Sequence, residues 1–155
     1  MKITFKKGNL IHALENREVD VIAHQANCFC TMKSGIAPQI VKRWPQVREA
    51  DLATEKGDKS KLGWYSVAEV PEGKIFNLYG QYHWQHWDKD YGTNYDALHV
   101  ALNRMCFALD DESPVRVGLP KIGCGLAGGN WGRVLRLIEN TFNESHHEII
   151  IYELE

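Results

Sequence analysis

The sequence predicts an α/β protein in which a mixed sheet lies between two layers of helices. The segment VDVIAH, residues 19–24, is β-rich and apolar on both faces, as expected of a central strand that helices cover. Residues 94–109 place their apolar side chains on one face of a helix. Early strands are followed by strand–loop–helix units, and this order is typical of a three-layer α/β/α architecture.

The first half of the chain contains four predicted strands and one broken helix. KITFKKG alternates enough for a short strand, which Gly8 ends, and VDVIAH follows as a buried strand. From Ile36 the apolar positions recur at helical spacing, which predicts a helix interrupted near Pro45. WYSVAEV and GKIFNLYG are separated by a Pro-Glu-Gly turn, and this pattern indicates a hairpin or meander.

The second half contains two helices and two strands. NYDALHVALNRMCFAL is an amphipathic helix capped by Thr93 or Asn94. VRVGLP is a strand, KIGCGLAGGN a glycine loop, WGRVLRLIENTF a helix and HEIIIYEL a final buried strand. The chain has no internal repeat, low-complexity tract or linker. We therefore expect residues 1–155 to form a single domain.

Composition and charge exclude several classes of function. The chain has 18 Lys and Arg against 20 Asp and Glu, a formal charge of −2, so it has no overall basic field that would attract a phosphate backbone. No apolar run approaches the roughly 18 residues of a membrane span, and the N-terminus lacks the apolar core of a signal peptide. These features predict a cytoplasmic protein without a membrane partner, and we expect a monomer.

The four cysteines fit free thiols in a reducing compartment. They lie at positions 28, 30, 106 and 124, and this spacing differs from the paired C-x2-C motifs of zinc sites. An ion held by Cys28, Cys30, Cys124 and His24 is the minor alternative. We expect neither a metal nor a cofactor.

Two loops at strand ends carry the candidate site. In open α/β sheets, ligands bind beyond the carboxyl ends of the central strands. The later loop, LPKIGCGLAGGNWGRV, has four glycines between positions 123 and 129. Such glycines allow positive φ and let backbone N–H groups converge on phosphate oxygens. No G-K-[ST] follows, so it is not a Walker loop. A turn needed only for chain reversal is the alternative.

The earlier loop, AHQANCFCTMKSGIA, combines polar side chains with the start of a helix. The Asn27 amide can both accept and donate at a ribose hydroxyl. Gly35, beside the helix N-terminus at Ile36, would let a pyrophosphate lie on the backbone. His24 ends a buried strand three residues before Asn27. It is either a catalytic group or a buried core histidine.

The order of these motifs resembles the macrodomain family. KGNL, VDVIAHQANCFCTMKSGIA, RWP and LPKIGCGLAGGNWGRV follow one another as in that α/β/α module, over nearly the whole chain. The resemblance implies the three-layer macrodomain fold and a site for ADP-ribose. It is strongest to the small stand-alone branch that includes ADP-ribose-1″-phosphate phosphatases and enzymes that cleave ADP-ribose from protein carboxylates.

The resemblance also implies roles for individual residues. Asn9 stands where the family usually has an Asp that contacts the adenine amino group, and its amide oxygen is expected to accept that hydrogen bond. Asn27 matches the residue that holds the distal ribose, and His24 matches a histidine of the phosphatase branch. Trp131 matches the aromatic residue that fixes the following helix.

The complete predicted site combines two catalytic residues with a larger set around the ligand. The catalytic residues are His24 and Asn27. The ligand-binding residues are Gly8, Asn9, Leu10, Gln25, Lys33, Ser34, Gly35, Ile36, Pro120, Ile122, Gly123, Cys124, Gly125, Leu126, Ala127, Gly128 and Trp131.

Two departures from the family pattern bear on mechanism. Relatives that use a covalent lysine intermediate have an Asp where this chain has Ala127 and a Lys near Gly80 or Gln81. Neither is present, which argues against a lysyl mechanism. The first hypothesis is therefore hydrolysis of ADP-ribose-1″-phosphate to ADP-ribose and phosphate. The alternatives are removal of ADP-ribose from a protein or nucleic-acid adduct, and a reader that binds ADP-ribose without catalysis.

An aromatic segment, QYHWQHWDKDYGTNY at residues 81–95, connects a strand to a helix. Such side chains either cover a ligand or pack over the sheet edge. Asp88 and Asp90 in this segment are further candidates to lend a carboxylate to the site.

Overall fold

The computed structural model describes residues 2–84, 92–111 and 113–154 and shows a six-stranded sheet with helices on both faces. The strands are β1 Lys2–Lys7, β2 Val21–Asn27, β3 Tyr65–Val70, β4 Gly73–Gln81, β5 Arg116–Leu119 and β6 Glu148–Glu153. The helices are α1 Leu10–Glu15, α2 Ala37–Arg43, α3 Gln46–Leu52, α4 Tyr95–Leu109 and α5 Trp131–Phe142, with a 3-10 turn at Lys59–Lys61. The predicted α/β class is confirmed.

The sheet is mixed, as predicted. Its order is β1-β6-β5-β2-β4-β3, and only β3 runs antiparallel to its neighbour β4. Strand β2 lies between β5 and β4 and is buried from Val21 to His24. Its position explains why both faces of this segment are apolar in the sequence.

Each face of the sheet has its own hydrophobic core. On one face α4 and α5 pack with side chains such as Leu102, Met105 and Ile138. On the other face α1, α2 and α3 pack with Leu14, Trp44 and others. Full burial of such a side chain contributes roughly 1.5–3 kcal/mol. Both cores hold the sheet rigidly, so the loops at its carboxyl edge start from fixed points.

The helix boundaries agree with the predicted elements to within a residue or so. Helix α2 begins at Ala37 with Ile36 at its N-cap, and the chain breaks between Trp44 and Pro45 before α3. Asn94 rather than Thr93 caps α4, because its side chain accepts the Ala97 N–H at 3.0 Å. None of the helices in the described ranges is long and apolar enough to cross a membrane.

Helix α1 is absent from the elements predicted from sequence. It is short, and its start depends on Asn9, whose side-chain oxygen accepts from the N–H groups of Ile11 at 2.8 Å and His12 at 3.4 Å. Such N-cap contacts stabilise a helix by about 1 kcal/mol. Leu10 and Leu14 then bury against the sheet. The cap, which the sequence did not predict, therefore turns the side-chain oxygen of Asn9 toward the start of α1.

Candidate active site

A cleft with three connected parts runs along the carboxyl edge of the sheet. We call them the outer pocket, the glycine cleft and the inner cavity, with volumes of about 340, 200 and 40 Å³. Gly35, Ile36, Pro120 and Lys121 line both the outer pocket and the glycine cleft. The glycine cleft and the inner cavity also share lining residues, among them His24. The three parts are therefore continuous.

The outer pocket is mostly apolar, and Asn9 is one of its polar residues. Leu10, Ile36 and the ring of Tyr152 line it. Because Asn9 Oδ1 is turned back to cap α1, the atom left for the pocket is Nδ2, which has no partner among the described residues. The described side chain therefore presents a hydrogen-bond donor to the pocket. The acceptor role of the Asn9 oxygen toward adenine stays a prediction.

The glycine cleft is shaped by close packing of its backbone. Gly123 has φ 74°, in the left-handed region that favours glycine, and its carbonyl accepts from Gly129 N at 2.8 Å and Thr93 Oγ1 at 2.6 Å. A Cβ on Gly129 would collide with that carbonyl oxygen. Gly125 has open space where its Cβ would be. The hydrogen bonds to the Gly123 carbonyl thus hold the loop in place, while the backbone at Gly125 is uncovered where a Cβ would stand.

The loop that carries Asn27 is strained and tied down. Asn27 Oδ1 accepts from Phe29 N at 2.8 Å, and its Nδ2 donates to Thr31 Oγ1 at 2.7 Å. Cys30 and Met32 are buried with φ of 58° and 44°, which costs about 1–2 kcal/mol each for non-glycine residues. Arg48 donates to the Cys30 carbonyl at 3.0 Å and so holds the strained segment in place.

His24 lies under the floor of the cleft and is 2% exposed. Its Nε2 is 2.6 Å from Asn77 Oδ1. Asn77 Nδ2 donates to the Val47 carbonyl, which can only accept, so the amide orientation is fixed and His24 Nε2 carries the proton. Burial lowers the pKa of His24 to about 4, against the opposing effect of Asn77. The imidazole is neutral at pH 7 with its proton committed to Asn77, which favours a core role over a general acid.

The hydrogen bonds continue from Asn77 to a buried acid. Asn77 Nδ2 donates to Ser66 Oγ at 3.0 Å, Ser66 Oγ lies 2.8 Å from Tyr79 OH, and Tyr79 OH donates to Asp51 Oδ1 at 2.7 Å. Asp51 is fully buried and lines the inner cavity. Burial raises the pKa of Asp51, while the Tyr79 hydrogen bond and the charges of Lys61 and Arg48 oppose the rise.

Two of the relatives that align with almost the whole chain are a phage protein and a human enzyme. A phage T4 protein described as an uncharacterized 17.5 kDa protein of the tk-vs intergenic region is 34% identical over 163 residues, covering 100% of this chain and 98% of its own length. The human ADP-ribose glycohydrolase OARD1 is 26% identical over 153 residues, covering 99% of this chain and 92% of its own. No family model matches the sequence.

Two of the solved structures that share the fold are macrodomain proteins of thermophilic bacteria. The macrodomain of Thermus aquaticus DarG superposes with a TM-score of 0.78 at 21% identity and covers 97% of both chains. Thermosipho africanus DarTG in complex with ADP-ribose superposes with a TM-score of 0.76 at 16% identity, over 100% of this chain and 42% of that one. The chain belongs to the macrodomain family.

The macrodomain brings most of its predicted site residues to one cleft. Those that line one of its three parts are Gly8, Asn9, Leu10, His24, Gln25, Asn27, Lys33, Ser34, Gly35, Ile36, Pro120, Ile122, Gly123, Gly125, Leu126 and Ala127. Three others line none of them. Cys124 turns its thiol to the Ile122 carbonyl at 3.3 Å, Gly128 closes the turn to Gly125, and Trp131 starts α5 against the core.

Two of the positions that the resemblance compared with a lysyl mechanism line this cleft. Gln81, which with Gly80 marks where a Lys was expected in such relatives, lines both the glycine cleft and the inner cavity, and Ala127 lines the glycine cleft. The absence of a lysyl pair from this chain stays a prediction from the resemblance. In the described ranges, no three side chains of the metal-ligating types come together as a metal site.

Sequence reasoning missed Asp51. A signal for it exists, because Asp51 follows Val47 by four residues in α3 and so lies on the same helix face. An acid on the buried face of an amphipathic helix requires a partner. Asp88 and Asp90, the other acidic candidates, lie outside the described residues.

Proposed function

We propose that residues 1–155 form one macrodomain, acting as a monomer, that binds ADP-ribose derivatives in this cleft and hydrolyses the substituent on the distal ribose. The substrate we propose is ADP-ribose-1″-phosphate, with ADP-ribose and phosphate as products. The observation that carries the proposal is the continuity of the three parts. An apolar pocket, a bare glycine surface and a polar cavity follow one another as do a base, a pyrophosphate and a second ribose.

The glycine cleft suits the phosphates because it offers backbone rather than side chains. Open space at Gly35 and Gly125 allows close approach of an anion to the peptide groups. Lys121 lines both the outer pocket and the glycine cleft and adds a positive charge there. Its ammonium lies 2.7 Å from Glu153, so part of that charge is already balanced.

Asn27, beside the inner cavity, is the residue we assign to the distal ribose. Its carboxamide is oriented by Phe29 and Thr31, so the side chain is preorganised before a ligand arrives. Within the described ranges Thr31 is the one partner of Nδ2, so its second hydrogen can donate to a ligand. We assign His24 to positioning: it supports the floor through Asn77 and does not give up its proton.

Two measurements test this function together. Calorimetric titration with ADP-ribose should give saturable binding at one site, and ADP-ribose-1″-phosphate should release one phosphate per molecule. AMP should bind more weakly, because it lacks the distal half. If no ADP-ribose binding were measured, both the proposed binding site and the proposed reaction would be wrong.

Removal of ADP-ribose from a macromolecular adduct is the second candidate. The observation that favours it is the alignment with OARD1, which is named an ADP-ribose glycohydrolase. Release of ADP-ribose from modified protein or DNA, with no phosphate release from the 1″-phosphate ester, would select it. Binding of ADP-ribose without either reaction would indicate a reader, a protein that binds ADP-ribose without catalysis.

A further inference from the structure

Lys33 lies at the inner end of the cleft. It lines the inner cavity, and among the described residues it is not part of the glycine-cleft lining, whereas its neighbour Ser34 lines both. The side chain of Lys33 is exposed, so its ammonium can meet a ligand without any change in the core. The inner cavity borders the part of the cleft assigned to the distal ribose. Lys33 is therefore placed for the substituent on that ribose rather than for the pyrophosphate.

The positive charge of Lys33 is not neutralised by the residues around it. None of the ion pairs within the described ranges includes Lys33. Asp51 is the acidic residue that lines the inner cavity there, but it is fully buried and its carboxyl accepts from Tyr79 OH. An anion that enters the cavity therefore meets the exposed ammonium of Lys33 rather than the carboxylate of Asp51.

On its other side Lys33 borders an open basin with basic walls. The basin has a volume of about 510 Å³ and shares Met32 and Lys33 with the inner cavity. Its other lining residues, none of them acidic among those described, are Thr31, Pro38, Val41, Lys42 and Arg48. Arg48 donates to the carbonyls of Cys30 and Thr31 at 3.0 and 3.2 Å, which fixes the chain just before Lys33. The basin thus supplies no described carboxylate that could compete for the Lys33 ammonium.

The cation of the glycine cleft differs from Lys33 in this respect. Lys121 Nζ lies 2.7 Å from Glu153, so a ligand phosphate must compete with that carboxylate. A phosphate monoester carries a charge of about −1.5 to −2 at pH 7 and has three strong acceptor oxygens, and an ammonium offers three donors. The 1″-hydroxyl of ADP-ribose carries no charge. Lys33 therefore suits the phosphorylated sugar better than the free sugar.

We propose that Lys33 binds the terminal phosphate of ADP-ribose-1″-phosphate and makes the site prefer this ester to ADP-ribose; this rests on the proposed function. The ammonium pairs with the phosphate at the inner cavity, while Asn27 holds the ribose that carries it. Lys33 is a specificity-determining residue, since its contact exists in one ligand and not in the other. ADP-ribose, the product, lacks this contact and should bind more weakly than the substrate.

The first test removes the charge of Lys33 and keeps a long side chain. Lys33→Met should raise the KM for ADP-ribose-1″-phosphate by about 10- to 100-fold, the range for a hydrogen bond to a charged group, and should change kcat little. Its affinity for ADP-ribose, by calorimetry, should stay within a few-fold of wild type. Lys33→Arg keeps the charge and should restore most of the affinity for the ester. Equal losses for both ligands would assign Lys33 to the pyrophosphate, and an unchanged KM would leave it without a contact; either result overturns the proposal.

Lys42→Met is the matched control. Lys42 is an exposed residue of α2 that lines the basin but, among the described residues, none of the three parts of the cleft. The substitution removes the same charge from the same surface, so the KM for the ester and the affinity for ADP-ribose should both stay within a few-fold of wild type. A KM increase as large as that of Lys33→Met would show a general effect of surface charge and overturn the contact.

Competition, measured before appreciable turnover, separates this proposal from the proposed function. ADP-ribose-1″-phosphate should displace labelled ADP-ribose from wild type at a concentration at least about tenfold below that of unlabelled ADP-ribose, and Lys33→Met should abolish this preference. A preference without phosphate release would refute the hydrolase function and support the assignment of Lys33. Phosphate release without a preference would support the function and overturn the assignment. Failure of wild type to bind ADP-ribose overturns both.

Discussion

The outer pocket and the inner cavity lie at opposite ends of one cleft and hold their polar groups differently. In the outer pocket Asn9 leaves its Nδ2 unpaired within the described structure, and the Lys121–Glu153 ion pair is exposed at the rim. At the inner cavity His24, Asn77, Tyr79 and Asp51 are each at most 2% exposed and share hydrogen bonds. Substitution of a group in the outer pocket should therefore change affinity. Substitution of a group at the inner cavity should change stability and rate together.

Obstruction of the glycine cleft should have the largest effect on ADP-ribose binding, because it separates the two ends of the cleft. Gly125→Glu places a side chain and a negative charge in the open space beside the expected pyrophosphate. Like-charge contact costs several kcal/mol, so ADP-ribose affinity should fall on the order of 10³-fold by calorimetry. Gly125 lacks a positive φ, so the backbone tolerates a side chain. Gly125→Ala is the matched control and should bind within a few-fold, whereas equal binding by Gly125→Glu would place the ligand elsewhere.

The buried His24 should make stability depend on pH. The pKa of His24 is about 4 in the folded protein and about 6.5 when unfolded, so the unfolded chain takes up the proton first as pH falls. The contribution of neutral His24 is complete above pH 6.5 and is lost between about 6.5 and 4, by about 3 kcal/mol.

The measurement is denaturant unfolding at both ends of that pH window. His24→Gln removes the titrating group, so the free energy of unfolding should fall less between pH 7 and pH 4.5 than it does in wild type. Equal falls in the two proteins would show that His24 titrates normally and is less buried than described.

Substitution of Asn27 should impair function at the inner end of the cleft and leave binding at the outer end nearly unchanged. Asn27→Ala removes the group assigned to the distal ribose, and a reacting bond misplaced by a fraction of an ångström can lose about a hundredfold in rate. AMP binding should stay within a few-fold of wild type, because AMP occupies only the outer pocket and part of the glycine cleft. If AMP and ADP-ribose lost affinity equally while turnover was spared, the assignment of Asn27 would be wrong.

Asn9→Asp should give the smallest change and sharpen the description of the outer pocket. One carboxylate oxygen can keep the cap of α1, while the other replaces the Nδ2 donor with an acceptor for the adenine amino group. ADP-ribose affinity should rise about fivefold, equivalent to about 1 kcal/mol for one hydrogen bond. Asn9→Ala loses the cap and should cost about 1 kcal/mol of stability. Weaker ADP-ribose binding by Asn9→Asp would mean that the donor is the atom that the base uses.

The fold and the glycine-rich side of the cleft were predictable because local signals determine them. Apolar strands, glycine density after β5 and the spacing in α4 are properties of neighbouring residues. The orientation of Asn9 was not predictable in the same way. It depends on where α1 begins, and that six-residue helix is absent from the elements that the sequence predicts. Once the cap is known, the amide nitrogen is the atom that has no partner among the described residues.

The inner cavity was the harder part to predict because its network is non-local. Asp51 meets Tyr79 across 28 positions of the chain, and His24 meets Asn77 across 53. Each of these residues, read alone, is an ordinary member of a strand or helix. Only the pairing of β2 with β4 and the packing of α3 on that sheet bring them together.

Single-turnover hydrolysis of ADP-ribose-1″-phosphate by excess wild-type protein tests the central claim most directly. We expect one phosphate and one ADP-ribose per substrate molecule. Unchanged substrate, in a sample that binds ADP-ribose at one site, would contradict the claim that the inner end of the cleft performs chemistry.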